Sequence, residues 1–174
     1  HNRPVGGFVG LAEGTVVIED SLFTGVVKSY QNQVAGFVGL ANNGGTATIN
    51  HCIEAGDIYP ATTTIDLKGH GSIIGISNGS GSSIKNCIYT DIYYAQGGKF
   101  DKISNLYGET NSSDKLTAET NVNNIYVPDD KVYGMGMLDK LTAAGMTDWT
   151  VTTTGTPLPR TIALTFGKLI LAKA

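Results

Sequence analysis

Short apolar segments recur in a fixed order along the first half of the chain. Residues 5 to 11 read VGGFVGL, residues 34 to 40 read VAGFVGL and residues 70 to 76 read HGSIIGI, so Gly10, Gly39 and Gly75 occupy one equivalent position. A second block follows each: Ile18 to Leu22 reads IEDSL, Ile49 to Ile53 reads INHCI, and Ile84 to Ile88 reads IKNCI. A third begins a few residues later, at Gly25-Val26-Val27, Gly56-Asp57-Ile58 and Thr90-Asp91-Ile92. Self-similarity of this kind marks a repeat architecture in which each copy is one supersecondary unit, here a set of three short strands.

Copies differ in length at Glu13-Gly14, Asn42-Asn43-Gly44-Gly45 and Asn78-Gly79-Ser80-Gly81, so the insertions fall in turns. Short strands repeating in this way build a propeller blade or a solenoid, and three copies are too few for a propeller of at least about four blades. A solenoid is the expected architecture, with coils stacked roughly 4.8 Å apart and equivalent side chains in columns. The predicted columns are Phe8, Phe37 and Ile73; Ile18, Ile49 and Ile84; Ser21, Cys52 and Cys87; and Leu22, Ile53 and Ile88. The three-residue step from Ile18 to Ser21 breaks period-two alternation, so both face inward only if the backbone bends between them, at Asp20, His51 and Asn86.

Composition agrees with an all-β chain. Of 174 residues 23 are Gly and only 16% are charged, against roughly 25% charged in an average soluble domain. The net charge of −3 and the lack of any Lys/Arg run supply no electrostatic footprint for nucleic acid. No apolar stretch reaches the roughly 18 residues of a membrane span; the longest, Leu164 to Ala172, is interrupted by Gly167 and Lys168.

The order GGFVG, Gly-rich turn, I-x-N-C and G-x-V resembles the GLUG repeat of bacterial surface proteins, which occurs in IgA-cleaving metallopeptidases and haemagglutinin-like adhesins. The resemblance covers about residues 5 to 95, and the first copy departs from it with Asp20-Ser21 in place of Asn-Cys. It implies a right-handed parallel β-helix on an exported protein, located extracellularly or at the bacterial cell surface. The tail is similar to the segment that closes such regions. Gly134 to Ala144 is predicted as a helix with Met135, Leu138, Leu141 and Ala144 on one face and Gly145 as its stop. Trp149 and Thr156-Pro157-Leu158-Pro159 follow as a closing element over the last open coil. The expected organisation is thus a β-helix over 5–95 and a capping region with one short helix over 96–174. A repeat beginning at Val5 without an amino-terminal cap suggests an upstream part of the same polypeptide.

Catalytic motifs are absent. H-E-x-x-H does not occur, and His1, His51 and His70 lack metal-ligand spacing, so no metal or other cofactor is expected. Asp57 and Asp91 align on consecutive coils, where paired carboxylates divide acid and base roles in some β-helical polysaccharide enzymes; the competing reading is a solvated face, and no Lys or Arg cluster is evident beside them. Tyr89, Tyr93 and Tyr94 either present rings for sugar stacking or pack beneath the tail. These five are the candidate ligand-binding residues. Cys52 and Cys87 are read as a reduced, buried ladder rather than a bridge. The columns Thr15, Thr46, Gly81 and Val17, Thr48, Ser83 give no sustained Thr array of the ice-binding kind. The expected function is a non-catalytic, adhesive or stalk-like surface module whose partner is a host or bacterial glycan or a surface protein, the alternative being a carbohydrate-active or protease-associated segment.

Overall fold

A computed structural model describes residues 3–29, 33–60, 68–78, 81–96, 99–108, 116, 120–128, 136–151 and 157–159. The first repeat forms β1 (Val5–Gly6), β2 (Val9–Ala12), β3 (Thr15–Glu19), β4 (Leu22–Phe23) and β5 (Val26–Lys28). The second forms β6 (Val34–Ala35), β7 (Val38–Ala41), β8 (Thr46–Asn50), β9 (Ile53–Glu54) and β10 (Asp57–Tyr59). The third forms β11 (Ile74–Ser77), β12 (Ser83–Lys85), β13 (Ile88–Tyr89) and β14 (Asp91–Gln96). Every strand of the first tier pairs in parallel with its counterpart in the second, Val9 beside Val38, Ile18 beside Ile49, Leu22 beside Ile53 and Val27 beside Ile58. β11 to β14 continue the ladders. The described residues are mostly β-strand, in mainly parallel sheets, with one short helix, as an all-β chain requires.

Ladders run on past residue 95, where the sequence reading ends the repeats. After the hairpin strand β15 (Lys99–Ser104), antiparallel to β14, the chain adds β16 (Asn121–Val122) beside β12 and β17 (Ile125–Tyr126) beside β13. Tyr107 bridges Ile74. These pieces form a fourth tier.

Side chains sort by the pleat. Phe37, Ile49, Cys52, Ile73, Ile84 and Cys87 are fully buried in one interior cluster, so the predicted inward columns hold. Ile49 and Cys52 share that interior because the bend residues take left-handed backbone: φ is 47° at Asp20, 51° at His51, 53° at Asn86 and 56° at Asn123. The Gly10, Gly39, Gly75 column is steric. A Cβ on Gly39 would lie 2.8 Å from the Gly10 carbonyl oxygen, and one on Gly75 would lie 2.3 Å from that of Gly39.

The column Leu22, Ile53, Ile88 points the other way, since Ile53 follows inward Cys52. It is covered by the tail. Ile53 and Ile88 form a second cluster with Met137, Leu141, Ala144 and Trp149, so the tail covers a side of the stack, whereas the sequence placed it over the end. The helix α1 spans Met137–Ala143 and buries Met137 and Leu141. Leu138, expected on the buried face, is 43% exposed, because the buried stripe is set by Met137; Gly134 and Met135 lie outside the described residues. Gly145 (φ 74°) ends the helix, with Gly145 N–H donating to Thr142 and Met146 N–H to Leu141. β18 (Trp149–Val151) then pairs antiparallel with β19 (Pro157–Pro159); Thr156 is outside the described residues.

Candidate functional site

In the sheet of β5, β10, β14 and β15, Val27, Ile58 and Ile92 point inward and are buried. The alternate residues therefore share the outer face. One row is Lys28, Tyr59, Tyr93 and Lys102, fixed by the registers Lys28 beside Tyr59 and Tyr93 beside Lys102. The Tyr59 and Tyr93 rings stack at 5.2 Å with 27° between planes. Lys28 Nζ lies 5.2 Å from the Tyr59 centroid and Lys102 Nζ 5.0 Å from that of Tyr93. Each ring is thus covered on both faces, by its neighbour on one strand and a cation or ring on the other. Tyr93 offers a sugar no free face. The sequence reading placed no basic residues near the aspartates, because Lys28 and Lys102 approach this face only through strand pairing.

The adjacent row holds Val26, Asp57, Asp91 and Ser104. Both aspartates therefore do lie on one face of neighbouring strands. They are not equivalent. Asp57 is half-buried and accepts a 3.4 Å hydrogen bond from Tyr59 Oη. Asp91 is only 4% exposed and accepts a 2.6 Å hydrogen bond from Tyr126 Oη. A carboxylate so enclosed has little access to substrate. Tyr94 is fully buried, its hydroxyl 2.9 Å from His70 Nδ1, and takes no part in a surface site.

Tyr89 is half-buried, its ring 5.7 Å from that of Tyr126. It borders an open groove of about 470 Å³. Ser104, Asn105, Leu106 and Tyr107 line it along one stretch of chain and Asn121, Asn123 and Asn124 along another. Here the inward columns change character, since Asn121 pairs beside Ile84 and Asn124 takes the position after the bend that Cys87 holds a tier earlier. Asn124 is committed: its amide donates to the Ile84 carbonyl and to Asn121 Oδ1, and its Oδ1 accepts from Cys87 N–H. Asn105 Nδ2 donates to the His70 carbonyl and Asn123 Nδ2 to Asn86 Oδ1. Among the described residues, that leaves Asn105 Oδ1, Asn121 Nδ2, Asn123 Oδ1 and Tyr89 Oη without a protein partner. The described lining residues are all uncharged. The groove was missed in the sequence because the fourth repeat was.

Glu54 is a further buried carboxylate that the sequence reading passed over. Gly56 N–H donates to it at 2.8 Å, Thr90 Oγ1 at 2.8 Å and Thr90 N–H at 3.3 Å, so it clamps the second tier to the third. Cys52 and Cys87 are free and buried. Burial, then the hydrogen bond and charge of neighbouring Cys52, push the Cys87 thiol well above its usual range. Among the described residues, no group of three or more His, Cys, Asp and Glu is arranged to hold a metal, and no helix is long and apolar enough to cross a membrane.

Comparison with known proteins finds no matching family, no similar curated protein and no similar solved structure.

Proposed function

We propose that this chain is a non-catalytic repeat module of an exported bacterial surface protein, a right-handed parallel β-helix of GLUG-like repeats that binds an uncharged saccharide in the groove beside Tyr89. The GGFVG and I-x-N-C blocks, stacked in register, support the architecture. The observation that carries the ligand class is the free polar set of the groove. Amide and phenol groups supply both donors and acceptors, none of the described lining residues is charged, and such a set matches neutral hydroxyls rather than a carboxylated or phosphorylated ligand. The test is binding of the purified chain to a panel of neutral and acidic polysaccharides of host and bacterial origin, with product release read on the same panel. Saturable binding to neutral members without products is the expected result.

A second reading rests on Asp57 and Asp91, which share a face with Lys28 and Lys102 and would then belong to a carbohydrate-active segment. It requires turnover that Asp57→Ala or Asp91→Ala abolishes.

A further inference from the structure

The turn from β7 to β8 is made by Asn42, Asn43, Gly44 and Gly45, and Gly45 N–H closes it by donating to the Asn42 carbonyl at 2.8 Å. Its central residues Asn43 and Gly44 both take left-handed backbone, with φ of 53° and 80°. Asn-Gly suits that pair, since these two residue types tolerate positive φ best. The same dipeptide is open to attack on itself. Asn43 and Gly44 are exposed, and a Cβ on Gly44 would meet no atom within 4 Å. Among the described residues the Gly44 N–H has no hydrogen-bond acceptor. A backbone nitrogen with no acceptor, no crowding and no side chain on its own residue is an unhindered nucleophile beside the Asn43 amide. That amide also joins two tiers, because Asn43 Nδ2 donates to Glu13 Oε1 of the first tier at 2.8 Å.

We propose that Asn43 is a self-modification site, converted by the Gly44 nitrogen and water to aspartate and isoaspartate, and that this conversion undoes a contact between the first two tiers. Gly44 N bonds to Asn43 Cγ, the Cγ–Nδ2 bond breaks, and the amide proton of Gly44 passes through solvent to the departing nitrogen, which leaves as ammonia. Water then opens the cyclic imide. Cleavage of the new N–Cγ bond gives aspartate, and cleavage of the original peptide bond gives isoaspartate; the carbon takes the hydroxyl, the nitrogen takes the proton, and nothing is oxidised or reduced. Either product replaces the donor that faced Glu13 by a carboxylate, so a hydrogen bond becomes a like-charge pair. Isoaspartate also adds a carbon to the backbone inside the turn that the Gly45 to Asn42 bond closes. Gly45 has no room to absorb the change, since a Cβ there would lie 2.2 Å from the Ala12 carbonyl oxygen. Asn123 is the natural comparison: it is exposed with φ of 56°, but the residue after it is Asn124, whose side chain shields the nitrogen that would attack. This inference is independent of the saccharide groove.

The experiment incubates the folded full chain in mildly alkaline heavy-oxygen water and maps its peptides by mass spectrometry, with an isoaspartate-specific methyltransferase to tell the two products apart. Asn43 loses its amide, gains oxygen from the solvent and yields both products, while Asn123 keeps its amide over the same time. Urea denaturation of Asn43→Asp, Glu13→Gln and the double variant then reads the consequence. Asn43→Asp shifts the midpoint down, and Glu13→Gln restores it in the double variant, because the Gln amide donates to the new carboxylate with the roles of donor and acceptor exchanged. An Asn43 amide that survives the incubation, conversion of Asn123 at the same rate, or a midpoint that Asn43→Asp leaves unmoved overturns the proposal.

Discussion

Tyr126 in the fourth tier donates a 2.6 Å hydrogen bond to Asp91 in the third, so a buried carboxylate ties the two tiers together. Hydrogen bonds to charged groups contribute about 1.5–3 kcal/mol, and losing one partner leaves the buried group unsatisfied. Asp91→Ala is therefore expected to lower unfolding stability by about that amount, while half-buried Asp57→Ala changes it by about 0.5 kcal/mol or less. Urea denaturation of the two variants and of Tyr126→Phe, combined as a double-mutant cycle, measures the coupling. Additive effects of Asp91→Ala and Tyr126→Phe would remove this role.

Cys52 and Cys87 are expected to resist a thiol reagent in the native state and to react together on unfolding, because both are buried. The folded pKa of Cys87 is raised, so the native state keeps its proton where the unfolded chain loses it. Stability is fully present below the ordinary thiol pKa of about 8.5 and is lost as pH climbs from there towards the folded value. Denaturation at neutral and alkaline pH should show this decline, with a shallower slope in Cys87→Ala. Rapid labelling under native conditions contradicts the buried ladder.

The Lys28, Tyr59, Tyr93, Lys102 row is expected to stabilise the sheet rather than hold a ligand, because both faces of each ring are covered. An exposed cation–π contact contributes about 0.5–1 kcal/mol. Lys28→Ala and Lys102→Ala should each lower the melting temperature slightly and leave saccharide binding intact. Loss of binding in either variant moves the site to this face.

Much of the fold was legible from the spacing of a few residues. Phe37, Ile49 and Cys52 fell in their predicted interior columns, and the bend at Asp20, His51 and Asn86 followed from the three-residue step between two inward positions. The fourth repeat escaped because Asn124 replaces Cys, Asn121 replaces Ile, and the β14–β15 hairpin intervenes before the next tier. Its signal was nonetheless present: Asn123-Asn124-Ile125-Tyr126 parallels Asn86-Cys87-Ile88-Tyr89. The lateral docking of α1 follows from period two, which turns Ile53 outward next to inward Cys52. Tyr94 was not separable from Tyr93 by composition. Alternation along β14 puts one on the surface and the other against His70.

The central claim is that the groove holds an uncharged saccharide without chemistry. Asn121→Asp tests it with the smallest change, since it keeps the oxygen that accepts from Asn124 and replaces the free amide donor by a second, charged oxygen. Calorimetric titration of wild type and Asn121→Asp with the neutral oligosaccharide that binds best on the panel, beside a product assay, is the direct measurement. The account predicts saturable wild-type binding without products, and about tenfold or more weaker binding in Asn121→Asp at an unchanged melting temperature. Equal affinity of the two proteins, no wild-type binding to any neutral member, or product release abolished by Asp57→Ala would contradict it.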